Sequence, residues 1–236
     1  LKEKGFFITG TDTRVGKTTI AAAIALSMKK RGINVGVMKP FATANRKYSS
    51  RFYSEDAAIL SSVADVDDRQ EKINPYFSCL STAPYTAGLV KKSERVDFQR
   101  MVSSYSELAS VHDMMIVEGL GGILVPLTRK KNLADFARAL NLPLIVVARF
   151  RLGMINHILL TLNACLNYNL KVEGIILNDL SRWEGPVKKQ AIVKTIEKVS
   201  RTSILAIMPF FENAAPNRVA SSLGSFPRLN KKLLIS

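Results

Sequence analysis

The chain has 236 residues, 47% of them apolar, enough to close one sizeable core, and nothing between its elements resembles a linker, so one domain spanning residues 1–236 is expected. Its formal net charge is +15, but the basic clusters at 29–31, 129–131, 188–189 and 231–232 lie in different elements without interleaved aromatic residues. That spread fits a solvated surface and argues against a nucleic-acid interface. No apolar run reaches the roughly 18 residues of a membrane span, and the N-terminal charges give way at once to a strand pattern, so neither a span nor a cleavable signal is expected and the protein is placed in the cytoplasm.

Short β-branched runs alternate with helical patterns, the signature of a parallel sheet with crossover helices. Strands are expected at Gly5–Thr9, Ile33–Met38, Met114–Val117, Leu144–Ala148, Val172–Leu177 and Ile204–Ile207. The first leads into "GTDTRVGKTT". A Walker A loop has Gly, four residues, then Gly-Lys-Ser/Thr, which would put its first glycine at Thr11, whereas Gly10 stands one residue early. Strand, loop and helix still follow in the order a phosphate cradle requires. Backbone N–H groups of the loop surround phosphate oxygens, Lys17 reaches the terminal phosphates, and the Thr18 hydroxyl is a Mg²⁺ ligand. The alanine-rich helix that follows carries basic residues in its last turn and stops at Gly32.

The second strand ends in "VMKP", which sets Lys39 at the same rim, where Pro40 prevents continuation. Alone, Lys39 would be a solvated strand end. A long loop, 41–53, precedes a helix at Ser54–Ala64, in which Asp56 by itself is explained as a first-turn acid favoured by the helix dipole. Helices are expected at Thr82–Lys91 and Asp97–Val111. The third strand closes in "IVEGLGG", where Glu118 follows an apolar run at the position of a metal ligand or its supporting shell, or of a structural cap. After a second long loop, 119–131, come helices at Ala134–Leu140, Met154–Tyr168 and Val187–Thr202. In the Met154–Tyr168 helix, Ile155, Ile158, Leu159, Leu162 and Leu166 recur at helical spacing and are expected to pack in the core. Cys79 and Cys165 lie far apart with no metal or redox spacing, and both are expected as packed thiols. The whole is an α/β fold, a mostly parallel sheet flanked by helices in three layers, of the P-loop NTPase type, with ligands beyond the carboxyl ends of the strands.

"GTDTRVGKT", "KP" after the second strand, "SEDAAIL", "NPY", "STAPY", "VEGLGG", "LGMINH" and "LND" together resemble the dethiobiotin synthetases, in order and spacing, from about residue 5 to 210. That family has Gly, five residues, then Gly-Lys-Thr, so the long loop is its own pattern. The resemblance implies an ATP-dependent ligase of biotin synthesis that uses CO₂ and Mg²⁺ to close a ureido ring on 7,8-diaminopelargonic acid, through a carbamate and a carbamic–phosphoric anhydride. It implies Lys39, Lys17 and Thr13 as catalytic residues, with Thr18, Asp56 and Glu118 on Mg²⁺. Nucleotide contacts are implied for Thr11, Asp12, Thr13, Arg14, Val15, Gly16, Lys17, Thr18, Thr19, Asn178 and Pro209, with Asn178 at the adenine edge. Substrate contacts are implied for Thr13, Lys39, Thr43, Pro84, Gly121, Gly153, Met154, Ile155 and Asn156, the last four reaching the substrate carboxylate from the partner of a homodimer.

The chain departs from the family at Arg14, where glutamate is common, and after Phe211, where it aligns poorly. Three rivals are weaker. Chromosome-partitioning and septum-positioning ATPases share the sheet but place a signature lysine at the start of this loop, at the position filled here by Asp12. The cobyrinic acid amidating enzymes carry a glutaminase domain for which 236 residues leave no room. A nucleic-acid-binding protein rests on charge alone.

Overall fold

The computed structural model describes residues 5–233. Of the N-terminal stretch read as charge before a strand, residues 1–4 lie outside it. Six parallel strands form the main sheet: β1 (Gly5–Gly10), β2 (Val35–Met38), β5 (Met114–Gly122), β6 (Leu144–Arg149), β7 (Val172–Asn178) and β8 (Ile204–Met208), in the order β2-β5-β1-β6-β7-β8. All six expected strands are present. A separate parallel pair joins β3 (Phe41–Thr43) to β4 (Tyr76–Ser78), with Phe41 opposite Tyr76 and Thr43 opposite Ser78. The helices are α1 (Lys17–Lys29), α2 (Glu55–Ala64), α3 (Gln70–Ile73), α4 (Pro84–Val90), α5 (Phe98–Val111), α6 (Leu133–Leu140), α7 (Met154–Asn167), α8 (Lys189–Ser200), α9 (Pro216–Leu223) and α10 (Pro227–Leu233), with a 3₁₀ turn at Lys92–Glu94.

The sheet is covered on both faces, as continuous apolar strands require. Side chains alternate along β1: Phe6 and Ile8 join a core with α1, α2, α9 and α10, and Phe7 joins the opposite core with α5 and α6. A third cluster packs Val146 and Ala148 of β6 against Ile158 of α7 and Ile192 and Ile196 of α8. Helix α1 is enclosed by the sheet, α2 and α9, which explains its alanines: Ala21, Ala22, Ala23 and Ala25 have no exposed surface. Gly32 ends it as expected, at φ 81, with its N–H on the Lys29 carbonyl.

Several expectations are corrected. The loop set at 41–53 begins as β3, and the loop set at 119–131 begins as the last turn of pairing in β5, where Gly122 lies opposite Gly10. Three-residue strands carry too little alternation to be seen in sequence. The second strand starts at Val35, because the Ile33 N–H turns back to Met28 at the end of α1. In α7, Ile158 is buried as expected but Leu166 is 72% exposed. Cys165 is buried, and burial pushes its thiol up to about 12, whereas Cys79 is exposed just past the short β4. Among the described residues no group of three or more His, Cys, Asp or Glu side chains could hold a metal.

The poorly aligned tail is part of the core. Val219, Ala220, Leu223, Leu229 and Leu233 are buried with α1 and the sheet, and both tail helices open on a proline, at Pro216 and Pro227. Ion pairs hold them: Arg228 to Glu197, and Lys232 to the buried Glu173, whose carboxyl is pulled below the usual range, against the effect of burial, by Lys232 and Lys171. No helix among the described residues is long and apolar enough to cross a membrane.

Candidate active site

Strand β1 lies between β5 and β6, so its carboxyl end opens where the chain departs to either side, the position at which open α/β sheets bind ligands. The loop from Gly10 to Gly16 leaves there and enters α1. Gly16 stands at the helix start with φ 90 and ψ 26, where only glycine is comfortable. A methyl group on it would lie 2.1 Å from the Asn178 Nδ2, which donates to the Val15 carbonyl at 3.1 Å. Asn178, on β7, therefore braces the loop from below, and its closeness to Gly16 is a packing reason for glycine that the sequence does not disclose.

Beside the loop is a cavity of about 840 Å³. Thr13, Arg14, Gly16, Lys17, Thr18 and Thr19 line one side, and Lys39, Thr43, Asp56, Glu118 and Gly121 line the rest. Residues from the loop after β1, from α1, just past β2, and from β3, α2 and β5 thus meet across a hundred positions of sequence. Lys39 is 3% exposed and Glu118 1%. The Lys39 ammonium donates to Glu118 Oε1 at 2.6 Å and pairs with Asp56 Oδ2 at 3.0 Å. Asp56 points into the site, so its position in the first turn of α2 is not its whole explanation. The Thr18 hydroxyl lies 3.0 Å from Asp56 Oδ1 and 2.8 Å from Glu118 Oε1.

One hydroxyl proton serves only one of those two carboxylates at a time. Glu118 Oε2 is buried and has no partner among the described residues. A hydroxyl, two carboxylates and an unpartnered carboxylate oxygen suit a hard divalent cation with oxygen ligands.

The charges are strongly coupled. Burial pushes Glu118 up; Lys39 draws it back and Asp56 adds to the rise, leaving it above the usual carboxylate range. Burial also acts to raise Asp56, but Lys39 and the Thr18 hydroxyl outweigh it and hold it low. For Lys39 burial is outweighed by Glu118 and Asp56, so it stays protonated well beyond neutrality. Lys17 differs: burial and the Lys39 charge lower it to about 8, and its ammonium donates to the Asp12 carbonyl at 2.7 Å.

The remaining sequence-derived residues divide. Val15 is buried in the core under the loop, and Thr11 lies partly buried at the loop start, its N–H on the Val147 carbonyl. Asp12 is exposed and lies 3.8 Å from Arg151. Pro84 is not on the cavity but on a separate pocket of about 230 Å³ with Tyr85, Leu89 and Leu127, because it occupies the first position of α4 and turns away. Pro209 is exposed and precedes Phe210 and Phe211, which with Arg182, Glu212 and Arg218 line a cleft of about 420 Å³ after β7 and β8.

Gly153, Met154, Ile155 and Asn156 do not line the cavity of their own chain. The Met154 side chain is 5% exposed in the core, and its backbone N–H donates to the Arg151 carbonyl. Sequence reasoning left out Asn45, Ser81, Thr82, Ala83, Leu120 and Val125, all on the cavity wall. Thr82 and Ala83 fall within "STAPY", which was a signal, and they follow β4, whose Ser78 lies opposite Thr43 of β3. Asn74 of "NPY" fixes that turn, donating to the carbonyls of Lys39 at 2.7 Å and Tyr76 at 3.0 Å.

Known proteins resemble this chain over most of its length. A family model described as an AAA domain matches residues 4–218. The ATP-dependent dethiobiotin synthetase BioD of Nitrosopumilus maritimus (strain SCM1) is 36% identical over 221 residues, covering 92% of this chain and 94% of its own length. The enzyme of that name from Bacillus subtilis (strain 168) is 34% identical over 216 residues, covering 92% and 91%. Among solved structures, a ParA family ATPase from Chlorobium tepidum TLS matches with a TM-score of 0.53 at 19% identity, covering 99% of this chain and 94% of that one. The MinC:MinD cell division complex of Aquifex aeolicus matches at 0.56 and 16% identity, covering 92% and 86%. These two structures establish the fold alone.

Proposed function

The chain belongs to the dethiobiotin synthetase family, and from that premise we propose that it is the ATP-dependent ligase that closes the ureido ring of dethiobiotin on 7,8-diaminopelargonic acid and CO₂. One amine adds CO₂ to give a carbamate. A carbamate oxygen attacks the γ-phosphorus of ATP, the bond to ADP breaks, and a carbamic–phosphoric anhydride forms. The second amine then attacks the carbamoyl carbon, loses its proton, and expels phosphate. Little covalent work falls to the protein in such a reaction, and positioning with charge stabilisation carries it.

The observation that supports this reading most is the convergence of Lys17, Lys39, Thr18, Asp56 and Glu118 on one cavity at the phosphate-binding loop. Lys39, protonated and buried, faces the space where the carbamate and transferring phosphoryl group would meet, and a preorganised cation there stabilises charge as it develops. Lys17 neutralises the terminal phosphates. Thr13 and Thr43 offer hydroxyls toward the substrate, and the five residues between Gly10 and Gly16 let one loop face both nucleotide and diamine. Thr18, Asp56 and Glu118 would hold Mg²⁺, which when bound supplies Lewis-acid neutralisation of phosphate oxygens. Asn178 serves the base by bracing the loop and offering its amide toward the adenine edge.

The substrate's carboxylate lies at the far end of an aliphatic chain. The start of α7 supplies N–H groups that no side chain caps, with Gly153 at φ 87 and Asn156 exposed beside them. Leu152, just before the helix, and Leu160 on it are 91% and 61% exposed, apolar surface that a two-fold partner would cover. A homodimer with each site completed by Gly153, Ile155 and Asn156 of the other chain follows. Replacing Asn156 with alanine is then expected to raise the KM for diaminopelargonate about tenfold, the loss of one hydrogen bond to a charged group, with nucleotide affinity unchanged. A fully active monomer in sedimentation at assay concentration would contradict the shared site. The activity is tested by mass-spectrometric detection of the cyclic urea; ATP hydrolysis stimulated by DNA or lipid with no urea formed would favour a regulatory ATPase instead.

A further inference from the structure

The pocket of about 230 Å³ next to the active cavity has no part in the ligase chemistry. Pro84, Leu89, Val96 and Leu127 give it apolar walls, and Arg95 and Thr128 add a cation and a hydroxyl. Leu127 is 1% exposed and belongs to the core, whereas Leu89 is 60% exposed and stands toward solvent.

Arg95 is held in place without being neutralised. A methyl group on Gly88 would lie 3.0 Å from the Arg95 Cα and 3.1 Å from its Cγ, so the glycine lets the arginine stem lie against α4. The Arg95 Nε donates to the Gly88 carbonyl at 3.4 Å, and among the described residues no hydrogen bond, ion pair or ring contact engages its two terminal NH₂ groups. Glu94, the adjacent acid, is taken by Lys91 and Ser78. Thr128 Oγ1 accepts from the backbone N–H groups of Lys130 and Lys131 at 3.3 and 3.0 Å, which leaves its own proton to donate.

The surrounding charge is a second observation. The basic run at 129–131 follows Thr128 directly, Lys91 and Lys92 follow α4, and all five side chains are exposed. Lys91 pairs with Glu94 and Lys131 with Asp135, while Lys92, Arg129 and Lys130 have no ion pair among the described residues. An apolar pocket edged by cations suits an anion with an apolar body. A guanidinium offers parallel N–H groups to both oxygens of one carboxylate. Apolar cavities of about 150 Å³ admit one benzene ring, so this pocket has room for one ring or a chain of about seven carbons.

We propose that this pocket is a second binding site, for a monocarboxylate with a short aliphatic or aromatic body. The carboxylate pairs with Arg95 and accepts from Thr128, and the body lies against Leu89, Val96 and Leu127. The site is separate from the active cavity, although the two share a wall. Thr82, Ala83 and Val125 face the cavity, Pro84 and Leu127 face the pocket, and the Tyr85 N–H ties the two segments through the Pro126 carbonyl at 3.1 Å. The inference does not rest on the ligase reading.

The test titrates octanoate into the full chain by calorimetry, in the presence of Mg²⁺, a non-hydrolysable ATP analogue and excess diaminopelargonate. The expected result is saturable one-to-one binding with a Kd on the order of 1 mM, the affinity a ligand of this size reaches. Arg95→Gln should weaken it at least about tenfold, the effect of losing a hydrogen bond between charged groups. Leu89→Glu, which sets a like charge beside the pocket, should weaken it as well, and Arg95→Lys should retain part of the affinity. Both positions are exposed, so these variants are expected to melt like the unaltered chain. Octylamine, with the same chain and the opposite charge, should show no saturable binding. The proposal is overturned if octanoate does not saturate, if Arg95→Gln binds it as tightly as the unaltered chain, or if octylamine binds equally well.

Discussion

Replacement of Lys39 with alanine is expected to lower turnover by at least about tenfold to a hundredfold, the range seen when one preorganised donor to developing charge is removed. The structure explains why the effect should fall on this residue. Lys39 is the partner of both Glu118 and Asp56 and is itself enclosed, so its charge acts in a site with little water to screen it. Without it Glu118, already raised by burial, would be raised further, and the oxygen cluster around Thr18 would lose its charge balance. Breaking a buried pair from one side commonly costs about 3–5 kcal/mol of stability. The exposed part of Asp56 relieves some of this, and a thermal melt run beside the kinetics separates lost folding from lost chemistry. A well-folded Lys39→Ala protein with full turnover would remove Lys39 from the mechanism.

The second large effect is expected at Gly16. An alanine there must adopt φ near 90 and would press its methyl group against Asn178, 2.1 Å away. Asn178 is 5% exposed and bonded to the Val15 carbonyl, so it cannot yield without releasing the loop it braces. Gly16→Ala should therefore reduce nucleotide affinity at least about tenfold, through the strain of a left-handed non-glycine residue and the lost hydrogen bond together. Equilibrium binding of a fluorescent ATP analogue measures it. Affinity within twofold of the unaltered chain would show that the loop relaxes at little cost and that the contact with Asn178 is incidental.

How far these features are legible in sequence depends on the range over which each is encoded. The six strands of the main sheet carry continuous apolar runs, and α1 carries its glycine stop and alanine face, so local pattern suffices for them. The pair β3 and β4 is three residues a strand, and nothing local marks Phe41–Thr43 as a pairing segment; only the later "NPY" and "STAPY" hint at its partner. Asp56 shows the same limit at a single residue. Its place at the start of α2 is a sufficient local reason for an acid, and its contact with Lys39 and Thr18 comes from the packing of α2 against α1 and β2. The tail was opaque because α9 and α10 are short and begin on prolines, yet they bury five apolar residues against the first core. Pro84 lies off the cavity for a related reason: a family position does not give the direction in which a side chain turns.

On the proposed function, this cavity joins CO₂ to a diamine at the expense of ATP. The direct measurement is incubation of the protein with ATP, Mg²⁺, diaminopelargonate and ¹³C-bicarbonate, followed by mass spectrometry of the products. The expected result is a cyclic urea carrying one ¹³C, formed together with ADP and phosphate and absent when ATP is left out. ATP hydrolysis without any labelled urea, in protein shown to bind the nucleotide, would contradict the ligase function.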